Sequence, residues 1–449
     1  MEAGLVVNTF NWLPTHRRDE LKTLAARSHQ VVTFAAIVGV ITGVVVAGFD
    51  RLVVDVSVSR VLQLSPWAIA FLPGLGLLGA LAARRFIGRG ASASTADEYL
   101  HAFHDRNYVL GWRPFVARII AAIATLGSGA PMGLEGPSMY SGAVIGSNTQ
   151  RRFPRVFGDA DRRILLVAGV AAGVAAIFKA PATGAVFALE VPYQDDLARR
   201  MLLPALVASA TGYLSFVAIN GTTPLFNIEG TTGFLLRDLL GAIGVGLIAG
   251  IGARAFAWML RRAKTIAAGT HPLATALAAG AGLAGIFGVG RLLTGQSLMV
   301  GSGYHVVAWA SAPGRTIWLL AAVLVLRCLA TTVAVAGGGV GGLFIPLVVA
   351  GALTGAAIGT AVNQFDLNLF MIVGVAAFLG AGYRVPLAAV VFIAETTGRP
   401  TFIVPGLLAA VAAELMMGTS SITKYQKITP IGRADTAKEQ RFDDDGDDF

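Results

Sequence analysis

GLEGPSMYSGAVIG, residues 133–146, returns 209 positions later as GLFIPLVVAGALTG, residues 342–355, and in each a proline is followed by glycines five and nine residues on. A second pair agrees with the first. FKAPATGAVFALE (178–190) and YRVPLAAVVFIAE (383–395) match in aromatic, basic, proline and terminal glutamate positions at an offset of 205. Two ordered matches at nearly one spacing divide the chain into homologous halves, repeat 1 over residues 30–220 and repeat 2 over 234–425.

Composition sets the medium in which those halves fold. Hydrophobic residues make up 55% of the 449 and charged residues 14%, against about 25% charged in a soluble domain. With a mean hydropathy of +0.68, this is a polytopic membrane protein. A net charge of +9 does not indicate nucleic acid, because the cations fall in short clusters between apolar runs (RRFIGR, RRFPR, RRAK). Such clusters read as cytoplasmic membrane-edge charge, with both termini cytoplasmic. The single cysteine, Cys328, excludes a disulfide framework within the chain.

Residues 1–29 lack the short apolar core and small-residue cleavage site of a removable signal peptide, and read as an interfacial helix before a transmembrane domain over 30–425. The polar, acidic tail 426–449 ends RFDDDGDDF and leaves no room here for a cytosolic regulatory domain.

Apolar segments begin near residues 31, 66, 115, 138, 164, 182, 202, 234, 272, 316, 343, 368, 387 and 402. Several are shorter than the roughly 20 helical residues that a hydrocarbon core of about 30 Å requires, so some helices must stop within the membrane. The fold expected is therefore all-α, with two inverted-topology repeats whose short and broken helices meet at a site near the midplane.

The chemistry of that site follows from helix ends. A helix N-terminus presents unpaired N–H groups and about half a positive charge, enough to hold an anion without a cationic side chain. Pro137 and Pro346 suit first helical turns, where a missing N–H costs nothing. Glu135 stands between the two glycines of GLEGP as a lone carboxylate in an apolar stretch, where a charge costs roughly 2.5 to 3.5 kcal/mol at the bilayer centre. It can act as a tethered competitor for the anion, leaving when protonated or displaced, or as a plain cap on its own helix.

GLEGP (133–137), GGLFIP (341–346) and the FKAPATGAVFALE and YRVPLAAVVFIAE segments together resemble the CLC family of chloride channels and proton-coupled chloride antiporters. GLEGP is similar to the family's GxEGP motif and GGLFIP to its GxFxP motif, and the likeness spans about residues 30–425. The resemblance implies a gating role for Glu135 and an anion-binding site around Gly133, Leu134, Glu135 and Gly136. It also implies that the backbone N–H groups of Leu343 and Phe344 coordinate the anion.

Two family positions are altered. The family's GSGIP motif is degraded in GASASTADEYL (90–100), where Ser94 is the best match for the central serine. In TSSITKYQ (419–426) the central tyrosine position falls on Thr423, with Tyr425 two residues on. Thr423 at that place implies a wider inner constriction that lacks a phenol donor.

The position after FALE, where coupled members commonly carry an internal proton glutamate, is Val191. The function expected is transmembrane chloride permeation, leaning to an uncoupled channel gated by Glu135. The alternatives are a proton-coupled chloride antiporter or a fluoride exporter of the same family.

The resemblance further implies a homodimer in a bacterial inner membrane, with chloride as substrate and no cofactor. His101 and His104 lack a third ligand to make a metal site, and Lys179, Arg384, Glu190 and Glu395 read as anchors at short-helix ends. No HExxH, GxSxG or Walker lysine supports an enzyme.

Overall fold

The computed structural model of the chain describes residues 15–105, 107–157, 163–223, 225, 235–362 and 367–428. The first fourteen residues and the tail from 429 onward lie outside the described residues, so most of the predicted acidic tail does too. Repeat 1 comprises α1 (Thr15–Asp50), α2 (Pro66–Ala82), α3 (Thr95–His104), α4 (Trp112–Gly127), α5 (Glu135–Arg152), α6 (Ile164–Phe178), α7 (Pro181–Glu190) and α8 (Leu202–Asn220). Repeat 2 comprises α9 (Leu236–Ala267), α10 (Pro272–Thr294), α11 (Tyr304–Ser311), α12 (Ile317–Ala336), α13 (Phe344–Ala361), α14 (Leu367–Tyr383), α15 (Pro386–Thr397) and α16 (Ile403–Met417).

The helix α1 runs through residue 29 without a break and continues by a π-helical stretch, Arg51–Val58.

Among the described residues, eight helices are long and apolar enough to cross a membrane. Others are not: α7 has 10 residues and α15 has 12, which at 1.5 Å per residue is about 15 to 18 Å. Each opens on a proline at its first turn, Pro181 or Pro386. Ahead of each, the chain turns through a left-handed residue that is not glycine, Lys179 at φ 53° and Arg384 at φ 56°. Such a residue costs roughly 1 to 2 kcal/mol, and both side chains are tied down: Lys179 Nζ donates to Thr223 O at 2.9 Å, and Arg384 pairs with Glu414 at 2.8 Å.

Packing repeats itself as the sequence does. In repeat 1, α5 lies on α6 and α8 on α1; in repeat 2, α13 lies on α14 and α16 on α9. Glycine permits the closest of these approaches, since a Cβ on Gly142 or Gly169 would strike the carbonyl of the other, and the equivalent pair Gly351 and Gly374 is arranged alike. Small residues that let helix backbones touch are what holds helices together where lipid removes the hydrophobic drive. Across the repeats, α2 packs on its counterpart α10 and α7 on its counterpart α15. The molecule is thus two inverted-topology repeats about a pseudo-two-fold axis, with the starts of α5 and α13 near that axis.

Candidate anion site

The two segments first quoted meet at their glycines. Gly133 N donates to Gly342 O at 2.9 Å and Gly342 N donates to Gly133 O at 2.6 Å, an antiparallel bridge between chains from opposite repeats. Immediately after it, α5 and α13 begin. The loops leading in are each held by a threonine from the opposite repeat: Thr331 on α12 donates to Pro131 O at 2.8 Å, and Val340 N donates to Thr125 Oγ1 on α4 at 3.1 Å.

Glu135, the first residue of α5, is only 4% exposed. Its Oε1 accepts from Phe344 N at 2.5 Å and from Ile345 N at 3.3 Å, so the carboxylate of one repeat sits on the N-terminus of α13 in the other. The helix end supplies unpaired N–H groups and partial positive charge there. Oε2 has no hydrogen-bond partner among the described residues. Gly133 and Gly342 flank the carboxylate so closely that a Cβ on either would collide with it. The side chain therefore bridges to α13, beyond its own helix start.

Beside this contact lies a cavity of about 20 Å³ lined by Ser94, Thr95, Ala96, Gly136, Lys264, Gly341, Gly342, Leu343, Tyr383, Ile422 and Thr423. That is room for about one water-sized body. The start of α3 forms one wall, and Ser94 there makes no side-chain cap to its own helix. The 421–424 loop forms another. Arg261 donates to Ser421 O at 2.7 Å, Lys264 to Ile422 O at 2.8 Å, and Lys424 N donates to Asp97 Oδ1 at 2.9 Å. The Lys264 ammonium pairs with the Asp97 carboxylate at 2.8 Å, so α9 and the start of α3 are tied by an ion pair as well.

Residues 75–418 match the family described as voltage gated chloride channel. The chain belongs to the CLC family. The H(+)/Cl(-) exchange transporter ClcA of Klebsiella pneumoniae (strain 342) is 28% identical over 425 residues, covering 89% of each chain. Among solved structures, a slow cyanobacterial Cl-/H+ antiporter is similar with a TM-score of 0.75 at 22% identity, covering 86% of this chain and 94% of that one. A CLC-type fluoride/proton antiporter is similar at 0.75 and 20%, covering 89% and 98%. Both share the fold of this chain.

Placed on that CLC frame, Ser94, Gly136, Leu343 and Thr423 line one cavity, while Gly133, Glu135 and Phe344 form the contact next to it. Leu134 is buried as the residue preceding α5. Tyr425 is not in the cavity wall; it stacks on His101 at 4.7 Å between ring centroids. His104 meets Pro192 O at 2.8 Å, and the described residues contain no cluster of three metal-ligating side chains.

One expectation requires correction, the channel lean, and one residue joins the site. Thr423 lines the cavity as expected of the central tyrosine position, and Tyr383, 3% exposed at the end of α14, lines it as well. The uncoupled-channel expectation rested on Val191, and the named relatives are an exchanger and antiporters. Val191 is buried at the end of α7 with its N–H on Phe187 O. A hydrocarbon there removes one proton carrier and says nothing of other routes.

Sequence reading missed Tyr383, Thr95 and Lys264. Lys264 belongs to RRAK, which looks like membrane-edge charge until the helix carrying it is seen to reach the cavity.

Proposed function

We propose that this CLC protein is a proton-coupled chloride antiporter in which Glu135 serves both ions. The observation that carries the reading is the Glu135 carboxylate resting on the Phe344 and Ile345 N–H groups. An ionised carboxylate there holds the donors that an anion needs; a protonated one loses its charge-assisted bonds and releases them. One side chain thereby alternates between excluding chloride and carrying a proton, which is the elementary requirement of exchange. The likeness to ClcA over nearly the whole chain supports chloride as the anion and protons as the coupled ion.

In this reading the anion passes through the cavity bounded by Ser94, Leu343 and Thr423, and the protein works as a homodimer in a bacterial inner membrane. The apolar residues Leu202, Leu203, Leu206 on α8 and Val404, Val411, Leu415 on α16 are exposed and supply faces for a second copy or for lipid.

The test is a proteoliposome loaded with chloride, diluted into low-chloride buffer, with external pH recorded. Proton uptake against its gradient, in fixed ratio to chloride efflux, is the expected result; chloride efflux without proton movement returns the protein to the channel class. Fluoride efflux measured in the same vesicles separates the two anions.

A further inference from the structure

One full positive charge lies in the wall of the small inner cavity, and the exchange reading so far leaves it without a task. Lys264, in the last turn of α9, lines the cavity together with Ser94, Thr95 and Thr423. Its ammonium donates to Asp97 Oδ2 and to Ile422 O, each at 2.8 Å. An ammonium has three N–H donors, and the described residues take two of them, which leaves the third for a guest.

The pair is asymmetric with respect to the cavity. Lys264 lines it, whereas Asp97 does not, its second oxygen being held by Lys424 N at 2.9 Å on the loop. The loop bonds to Ile422 O and Lys424 N hold the pair with its cation at the cavity and its carboxylate behind. Of the hydroxyls in this wall, that of Thr423 is already engaged, its Oγ1 donating to Gln426 Oε1 at 2.9 Å. Gln426 is itself fixed, with Nε2 on Tyr383 O at 2.8 Å. Lysine is a compact, strongly hydrated point charge whose stem lets it follow a small anion.

We propose that Lys264 is an anion-holding residue of the inner cavity, aimed there by Asp97 as a positioning residue, so that a small inorganic anion meets a full positive charge beside the backbone N–H groups of Leu343 and the start of α3. The proposal rests on the reading of this cavity as part of the anion pathway. It assigns the two residues opposite effects on the anion: Lys264 attracts it, and Asp97 both positions the ammonium and partly cancels its charge.

Chloride titration of the purified full chain by calorimetry, paired with a thermal melt, reads this directly. Lys264→Gln should weaken chloride binding roughly tenfold, as loss of a partly screened charge within a few ångströms implies. Lys264→Arg should retain most of the affinity. Asp97→Asn, which leaves the ammonium and removes the opposing charge, should bind chloride several-fold tighter even where the melt falls. Should Lys264→Gln alone fail to fold, the neutral pair Lys264→Met with Asp97→Leu is expected to show the same loss of binding.

Chloride affinity unchanged in Lys264→Gln, or in that neutral pair, overturns the proposal and leaves the exchange reading intact. Equal weakening by Lys264→Gln and Asp97→Asn, tracking the melt, overturns it in favour of a structural pair. A wild-type protein with neither chloride binding nor chloride flux removes both readings together.

Discussion

Glu190 and Glu395 occupy the same place in the two repeats, and each caps the short helix that carries the other. Glu190 on α7 accepts from Leu387 N and Ala388 N at 3.0 and 2.8 Å at the start of α15, while Glu395 on α15 accepts from Ala182 N and Thr183 N at 3.0 and 2.8 Å at the start of α7. Two helices too short to cross the membrane thus have their first N–H groups satisfied by carboxylates from the opposite repeat. In a medium without water each unsatisfied N–H costs several kcal/mol, which explains acids at the ends of apolar segments.

Removing either carboxylate should loosen the seam between repeats. Glu190→Ala and Glu395→Ala are each expected to destabilise the purified protein by about 1 to 3 kcal/mol. Glu190, 6% exposed, should show the larger loss because water cannot replace its bonds as readily as at the half-buried Glu395. Melting curves of the two variants against wild type check both size and order. Two unshifted curves would remove the capping role.

Glu135→Gln should separate transport from its control by protons. The amide mimics the protonated acid, so chloride flux is expected to persist while its rise on acidification and the accompanying proton uptake vanish. The sign follows from the hydrogen bonds: as pH falls, the wild-type carboxylate gains a proton, its hold on Phe344 N and Ile345 N weakens, and flux increases. Full acid activation retained in Glu135→Gln vesicles would place the gate elsewhere.

Gly342→Ala tests the same contact from the other side. A Cβ there meets Glu135 Oε1 within collision distance, and Gly136 N is also near. The carboxylate must leave the α13 N-terminus or the bridge to Gly133 must open. The expected phenotype is flux insensitive to acid, like that of Glu135→Gln, with a lowered melting temperature that Glu135→Gln lacks. Acid-dependent flux like wild type would mean that the carboxylate does not rest between these glycines.

The duplicated segments made the fold legible, because helices packed about an internal two-fold must repeat their glycines, prolines and caps. Glu135 was legible for a different reason, as a charge in an apolar stretch between glycines. Pairings between repeats were not. Nothing local to FALE or FIAE says that each glutamate belongs to a helix about two hundred residues away, and nothing in RRAK distinguishes Arg261 and Lys264, bonded to the 421–424 loop, from charges facing headgroups. The tyrosine position shows the limit of alignment by motif: the reading placed the phenol on Tyr425 or lost it, whereas Tyr383, from a segment read only as part of a repeat, stands in the wall.

A proton route to Glu135 has to pass the level of Val191 at the end of α7. Val191 can neither hold a proton nor hydrogen-bond one, and its neighbour Glu190 is engaged at the start of α15. If exchange is coupled, protons must therefore reach Glu135 past position 191, through water or other groups, and the identity of the apolar side chain should be immaterial. Val191→Leu is expected to leave the ratio of protons to chloride unchanged in vesicles that report both fluxes. Val191→Glu adds a carrier and should raise the proton rate without altering that ratio, because Glu135 still admits the anion only when its carboxylate moves. Loss of proton uptake in Val191→Leu, with chloride flux intact, would instead put the route through the space that Val191 fills.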